Sequence, residues 1–240
     1  MRFAGRTETG LRSQNEDQYM ILHTDSLFAF AVSDGMGGHR AGETASATAV
    51  ETLQQSLLFG DASREAALSN AFTKANHAVH NLAQSDDSMY GMGCTLVAAI
   101  CDENGFVAAN VGDSRLYHFD GKTLKQITHD HSFVAELVRR GIITREEAKT
   151  HPRRNLITRA IGTEEHVSAD LFDCMWKPGD MLLLCSDGLC GVMDEAEMAA
   201  YLRNSVDLDA TCAALISRAL QLGSRDNITV VLVANDGGNA

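Results

Sequence analysis

Three β-rich runs follow one another between residues 95 and 119 with room for nothing longer than turns between them. They are Thr95 to Cys101, Phe106 to Val111 and Arg115 to Phe119. Asn104-Gly105 joins the first two, and Asp120-Gly121 follows the third. Both dipeptides suit tight hairpins, because the central residues of that turn need positive φ. A parallel pairing would need a crossover of about a dozen residues or more, and the chain has none here. The stretch 95–127 therefore predicts an antiparallel meander and argues against a parallel βαβ sheet.

Further short strands are predicted at Phe28 to Ser33, Met181 to Ser186 and Ile228 to Ala234. These runs are almost continuously apolar, as strands covered on both faces are. Helical periodicity marks Glu43 to Leu58 and Arg64 to Gln84, where Leu68, Ala71, Phe72, Ala75, Val79 and Leu82 form one stripe. Asp194 can cap a helix over Glu195 to Arg203, and Asp207 one over Leu208 to Leu222, with Gly223 placed to stop it. Antiparallel sheets sandwiched together and flanked by amphipathic helices satisfy both patterns, an α+β architecture. No repeat or proline-rich linker divides the chain, and only two prolines occur, so residues 1–240 are expected to form one domain.

Twenty Lys and Arg against thirty-two Asp and Glu leave a net charge of −12. Such acidity repels phosphate backbones and anionic lipid, which argues against nucleic acid and membrane surfaces as partners. The longest apolar runs fall far short of the roughly 18 residues of a spanning helix, and the N-terminus turns polar too early for a secretory signal. Cys94, Cys101, Cys174, Cys185, Cys190 and Cys212 include no CxxC pair and lie mostly in apolar contexts. They read as reduced core residues of a cytoplasmic protein.

Where the strands end, acids appear. Phe28 to Ser33 runs into Asp34-Gly35, Met181 to Ser186 into Asp187-Gly188, and Phe106 to Val111 into Gly112-Asp113, while Asp226-Asn227 opens the last strand. Any one Asp-Gly after a strand can be simply a turn. Four such acids suggest a shared cation, because a carboxylate beside a buried strand is costly unless its charge is compensated. Asp oxygens with carbonyls and waters suit hard ions such as Mg²⁺ or Mn²⁺, and glycine beside an Asp lets a carbonyl approach the ion. The glycine-rich stretch Asp34-Gly35-Met36-Gly37-Gly38-His39 precedes a helix and can lie close to metal and phosphate. Together these acids support a di-metal hydrolase.

In order along the chain, Arg12-x-x-Asn15-Glu16-Asp17, Asp34-Gly35-Met36-Gly37-Gly38, Gly112-Asp113-Ser114-Arg115, Ser186-Asp187-Gly188 and Asp226-Asn227-Ile228-Thr229 resemble the signature motifs of the metal-dependent protein Ser/Thr phosphatases. This is the protein phosphatase 2C-like (PPM) family in its bacterial form. Residues His131 to Ala148 and His151 to Gly162 resemble the flap of bacterial members, so a flap is expected at about 129–162. The resemblance implies a four-layer αββα sandwich of two mainly antiparallel sheets with the metal site at one edge. It implies that Asp34 bridges two Mn²⁺ or Mg²⁺ ions, that Asp187 and Asp226 complete the first, and that the Gly35 carbonyl binds the second, with Glu16 and Asp17 there directly or through water. Asp113, with Asp187, resembles the ligands of a third ion. Arg12 would hold the substrate phosphate through its fork of donors.

The implied reaction is hydrolysis of phosphoserine or phosphothreonine by a di-metal-activated water, with no phosphoenzyme. The implied partners are phosphoproteins and a Ser/Thr kinase that the enzyme counteracts, and the chain is expected to be monomeric. Eukaryotic members carry a histidine where this chain has Met36, which leaves the general acid open. His39 is a candidate for helix entry or substrate contact, and Asn227 is a further candidate site residue, whereas His129 and His131 are expected to organise the loop entering the flap. Two other patterns fail on context. Asp207-Leu208-Asp209-Ala210-Thr211 matches DxDxT but lacks the buried strand before it, and Gly121-Lys122-Thr123 lacks the first glycine of a phosphate-binding loop. A catalytically inactive phosphoprotein-binding module and a phosphatase of small metabolites remain as alternatives, the former disfavoured by the complete acid set.

Overall fold

The apolar runs alternate once both of their faces are counted. A computed structural model describes residues 1–37, 41–59, 63–85 and 87–237. Its N-terminal half runs β1 (Arg2–Glu8), β2 (Asp17–His23), β3 (Phe28–Met36), α1 (Ala41–Leu58), α2 (Arg64–Ser85), β4 (Gly93–Cys94), β5 (Leu96–Cys101) and β6 (Gly105–Val111). Then come β7 (Arg115–Phe119), β8 (Leu124–Gln126), α3 (Phe133–Arg139), α4 (Arg145–Thr150), β9 (Asp170–Met175) and β10 (Met181–Cys185). The short α5 (Asp187–Cys190), α6 (Glu195–Arg203), α7 (Leu208–Gln221) and β11 (Ile228–Ala234) complete the chain.

One sheet has the order β2-β3-β5-β6-β9, with β4 also paired to β3, and the other the order β1-β11-β10-β7-β8. All pairings are antiparallel. On β3, Phe30 and Val32 face the opposite sheet while Ala29 and Ala31 face the helices α1 and α2. On β11, Val231 and Val233 face the first sheet, and Val230 and Leu232 face α7. The three resulting cores, helix to sheet, sheet to sheet and sheet to helix, are those of a four-layer α+β sandwich, as the resemblance implied.

The expected meander is divided. Asn104-Gly105 does close the β5–β6 hairpin and Asp120-Gly121 the β7–β8 hairpin, but β6 and β7 belong to different sheets. The chain changes sheet at Gly112–Ser114, where Gly112 has φ +109° and Ser114 is buried with its hydroxyl 2.7 Å from that of Thr95. Because β6 and β7 are both covered on two faces, their composition carries no mark of the switch.

Strands β1, β2 and β9 escape a reading by apolar runs because each ends a sheet. Residues of β9 are alternately half-buried and exposed, and β1 is largely exposed. Both helices of the flap segment lie on the surface without a buried residue; Ser132 caps α3, and a Thr144/Glu147 capping box opens α4. The bridge Cys94↔Ile161 attaches the segment to the body, and Ser132↔Ile157 ties its two ends together. All six thiols are free, five of them buried and Cys174 partly so. Among the described residues no helix is long and apolar enough to cross a membrane.

Candidate functional site

Both sheets deliver acids to one edge of the sandwich. In the first sheet Asp17, at the start of β2, stands opposite Asp34 near the end of β3, and Asp113 follows β6. From the second sheet come Asp187, which opens α5 directly after β10, and Asp226, two residues before β11. Ser186 and Thr229 hold the latter two segments together, the Ser186 N–H donating to the Thr229 carbonyl at 3.1 Å and the Thr229 N–H to the Ser186 hydroxyl at 3.0 Å.

Asp17 joins the sheets. Its Oδ2 accepts from the hydroxyls of Ser186 and Thr229, each at 2.7 Å, although the residue is only 2% exposed. Burial pushes its carboxyl up to about 7 against the pull of those two hydroxyls, and the charges of Asp187 and Asp226 add to the rise. Asp34 is pinned by its backbone: its N–H donates to Thr95 Oγ1 at 2.9 Å, and its carbonyl accepts the Thr95 N–H at 2.8 Å. Burial, then repulsion from Asp17, Asp187, Asp113 and Asp226, holds the Asp34 carboxyl well above the carboxylate range. Burial and Asp226 push Asp187 up to about 6, opposed by a hydrogen bond with Asp34, and burial with Asp187 and Asp130 pushes Asp113 up to about 7. The five Asp carboxyls therefore face one another.

Two glycines make this convergence sterically possible. A Cβ on Gly35 would collide with the Gly42 carbonyl oxygen of α1 and the backbone of Glu16, and one on Gly188 with the Asn227 carbonyl oxygen. The Asp-Gly pairs are thus close-approach points between segments as well as turns. Gly188→Ala should cost about 1–3 kcal/mol of stability and displace Asp187. A denaturation midpoint equal to wild type would show that the backbone yields freely there.

Arg12 lies beside the acids, its Nη2 donating to Asp226 Oδ2 at 2.7 Å, and the side chain remains more than half exposed. Glu16 packs its carboxylate over Gly42, and burial raises its pKa. Asn227 turns out to be a clamp: its Oδ1 accepts the Glu16 N–H at 2.8 Å, and its Nδ2 donates to the carbonyls of Thr9 and Gln14, both at 2.9 Å. It therefore fixes the 9–16 loop that carries Arg12. His39 lies outside the described residues. Ser186, Thr229 and Thr95 were not foreseen from sequence; the one hint was the serine shared by the two Ser-Asp-Gly triplets.

Among the described residues no three His, Cys, Asp or Glu side chains already close into a metal-ligand set. The donor chemistry nevertheless fits a hard divalent cation. Asp17 Oδ1 and Asp187 Oδ1 are buried with no hydrogen-bond partner, an arrangement costly unless a positive charge meets them. Arg12 reaches only the exposed flank of the cluster, at Asp226.

Residues 4–223 match the profile of the family described as Protein phosphatase 2C. The serine/threonine phosphatase stp of Listeria monocytogenes is 41% identical over 238 residues, which are 96% of this chain and 94% of that protein. The crystal structure of serine/threonine phosphatase Stp1 from Staphylococcus aureus superposes with a TM-score of 0.92 at 38% identity, covering 97% of this chain and 94% of that one. The catalytic domain of the serine/threonine protein phosphatase PstP in complex with two manganese ions does so with a TM-score of 0.86 at 34% identity, covering 96% of both chains.

Proposed function

Because the chain belongs to the protein phosphatase 2C family and is a serine/threonine protein phosphatase, we propose that it hydrolyses phosphoserine and phosphothreonine with a water activated by two divalent ions, Mn²⁺ or Mg²⁺, held by Asp34, Gly35, Asp187 and Asp226. The observation that carries this reading is the pair of unpartnered buried oxygens in a ring of mutually repelling carboxyls. Two divalent ions bound there would lower the pKa of a water and neutralise the charge of an in-line displacement at phosphorus.

The chain's own residues have separable tasks. Asp34, pinned through Thr95 and surrounded by the other acids, would serve both ions. Asp187 and Asp226 approach from the second sheet, and the carbonyl of Gly35 would be a further ligand. Asp17 and Glu16 would hold the second ion, directly or through water, and Asp113 with Asp187 would hold a third. Arg12 exchanges its partner Asp226 for the substrate phosphate, and the clamp at Asn227 keeps the loop in place while the guanidinium does so. No phosphoenzyme is required. We read residues 1–240 as one catalytic domain with a flap at about 129–162, acting as a cytoplasmic monomer on proteins phosphorylated by a Ser/Thr kinase that it opposes.

Purified protein should hydrolyse p-nitrophenyl phosphate and a phosphothreonine peptide with Mn²⁺ and lose both activities in EDTA; inactivity on both with Mn²⁺ overturns the reading. Activity on small phosphate esters alone would favour a metabolite phosphatase. For Arg12→Ala, loss of a charged hydrogen bond to phosphate predicts a KM about tenfold or more higher with a smaller change in kcat. Unchanged KM and kcat would remove Arg12 from that role.

A further inference from the structure

The turn that presents Asp113 is gripped by a histidine with no assigned part in the reaction. Gly112 carries φ +109°, and a Cβ there would run into Thr95, so the turn is crowded as well as left-handed. His131, 3% exposed, holds the residue on both sides: its backbone N–H donates to the Gly112 carbonyl at 2.9 Å, and its ring Nδ1 lies 3.0 Å from the Gly112 N–H. Asn110 Nδ2 gives the same carbonyl a second donor at 3.1 Å. Since the Gly112 amide can only donate, Nδ1 must be the bare nitrogen, and the ring proton sits on Nε2, which points at Asp170 Oδ2 3.2 Å away. Arg159 in turn holds Asp170, donating to its other oxygen at 2.7 Å. Burial also disfavours protonation of the ring.

We propose that His131 is a positioning residue: as the Nε2–H tautomer set by Asp170, it fixes the Gly112 peptide through Nδ1 and thereby aims Asp113 into the acid cluster. The inference rests on the reading of Asp113 as a ligand of the third, weaker cation. The role belongs to one ring nitrogen, and the two amide side chains separate the nitrogens. Asn places its oxygen near the position of Nδ1 and keeps an acceptor for Gly112; Gln reaches toward Asp170 but leaves the Gly112 N–H without one.

The test is Mn²⁺ binding, followed through the electron paramagnetic resonance signal of free Mn²⁺, for wild type, His131→Asn, His131→Gln and Asp113→Asn, with circular dichroism confirming that each is folded. Loss of a group that orients a metal ligand typically costs tenfold or more in affinity. His131→Gln should therefore weaken the weakest Mn²⁺ equivalent about tenfold, as Asp113→Asn does, leaving the tighter equivalents unchanged. His131→Asn should hold it within about threefold of wild type. If Asp113→Asn weakens that equivalent and His131→Gln does not, or if the Asn and Gln variants lose it equally, the positioning role is overturned. If Asp113→Asn binds Mn²⁺ as wild type does, the ligand reading of Asp113 fails and the role of His131 falls with it. Should His131→Gln not fold, an equal loss in a folded His131→Asn still overturns the proposal.

Discussion

Asp34→Asn should lower kcat/KM for p-nitrophenyl phosphate and for a phosphothreonine peptide by on the order of a thousandfold or more at saturating Mn²⁺, because in the proposed mechanism the paired cations that Asp34 would hold activate the water. Burial and the charges of all four other aspartates raise the Asp34 carboxyl, which places it among them. The backbone bonds to Thr95 that hold it in place involve only its N–H and carbonyl, which the substitution leaves intact. The fold should therefore survive. In EDTA at pH 8 the variant should melt no lower than wild type, since Asn needs no proton at a place where burial and like charges hold a carboxyl well above the carboxylate range. Steady-state kinetics with thermal melts of the same preparations provide the check, and a variant within tenfold of wild-type kcat/KM would take Asp34 out of the bridging position.

The second large effect is the dependence of stability on metal and pH. Burial and mutual repulsion raise the carboxyls of Asp187 to about 6 and of Asp17 and Asp113 to about 7. The folded protein thus keeps protons that the unfolded chain releases near the ordinary Asp value of about 3.9. The stability they contribute is complete below that value and is lost as pH rises through about 6 to 7. EDTA-treated protein should accordingly have a lower Tm at pH 8 than at pH 5. Mn²⁺ should reverse the loss at pH 8, since an ion that binds only the folded state at a hundred times its Kd contributes about 2.7 kcal/mol per site, or about 5 to 10 °C for a chain of this size. A Tm indifferent to both pH and Mn²⁺ would mean that the acids share no cation.

The acids at strand exits were legible because burying charge is expensive wherever the strand itself is covered on both faces. The runs ending at Asp34 and Asp187 announced both the strand and the anomaly that follows it. What holds those acids was not legible. Thr95, Ser186 and Thr229 are ordinary β residues in sequence, and they become ligands of Asp34 and Asp17 only through pairings across 61, 169 and 212 positions of chain. Similarly, Asn104-Gly105 and Asp120-Gly121 marked two hairpins, but nothing local shows that Gly112–Ser114 carries the chain from one sheet to the other. Edge strands β1, β2 and β9 were missed because half-exposed backbone tolerates arginine, glycine and acids, which blur an apolar pattern.

Neither sheet is made from one continuous stretch of chain. The first strand joins the C-terminal sheet, and β9 returns to the N-terminal one. Asp34 and Asp113 belong to one sheet, Asp187 and Asp226 to the other, and Asp17 crosses between them to Ser186 and Thr229. Cutting the chain anywhere between β6 and β7 would therefore yield two pieces, each lacking a strand of its own sheet and holding only part of the acid set. During refolding, phosphatase activity should be the last signal to return, after secondary structure and after helix-to-sheet packing, because it reports the docking of the two sheets onto each other.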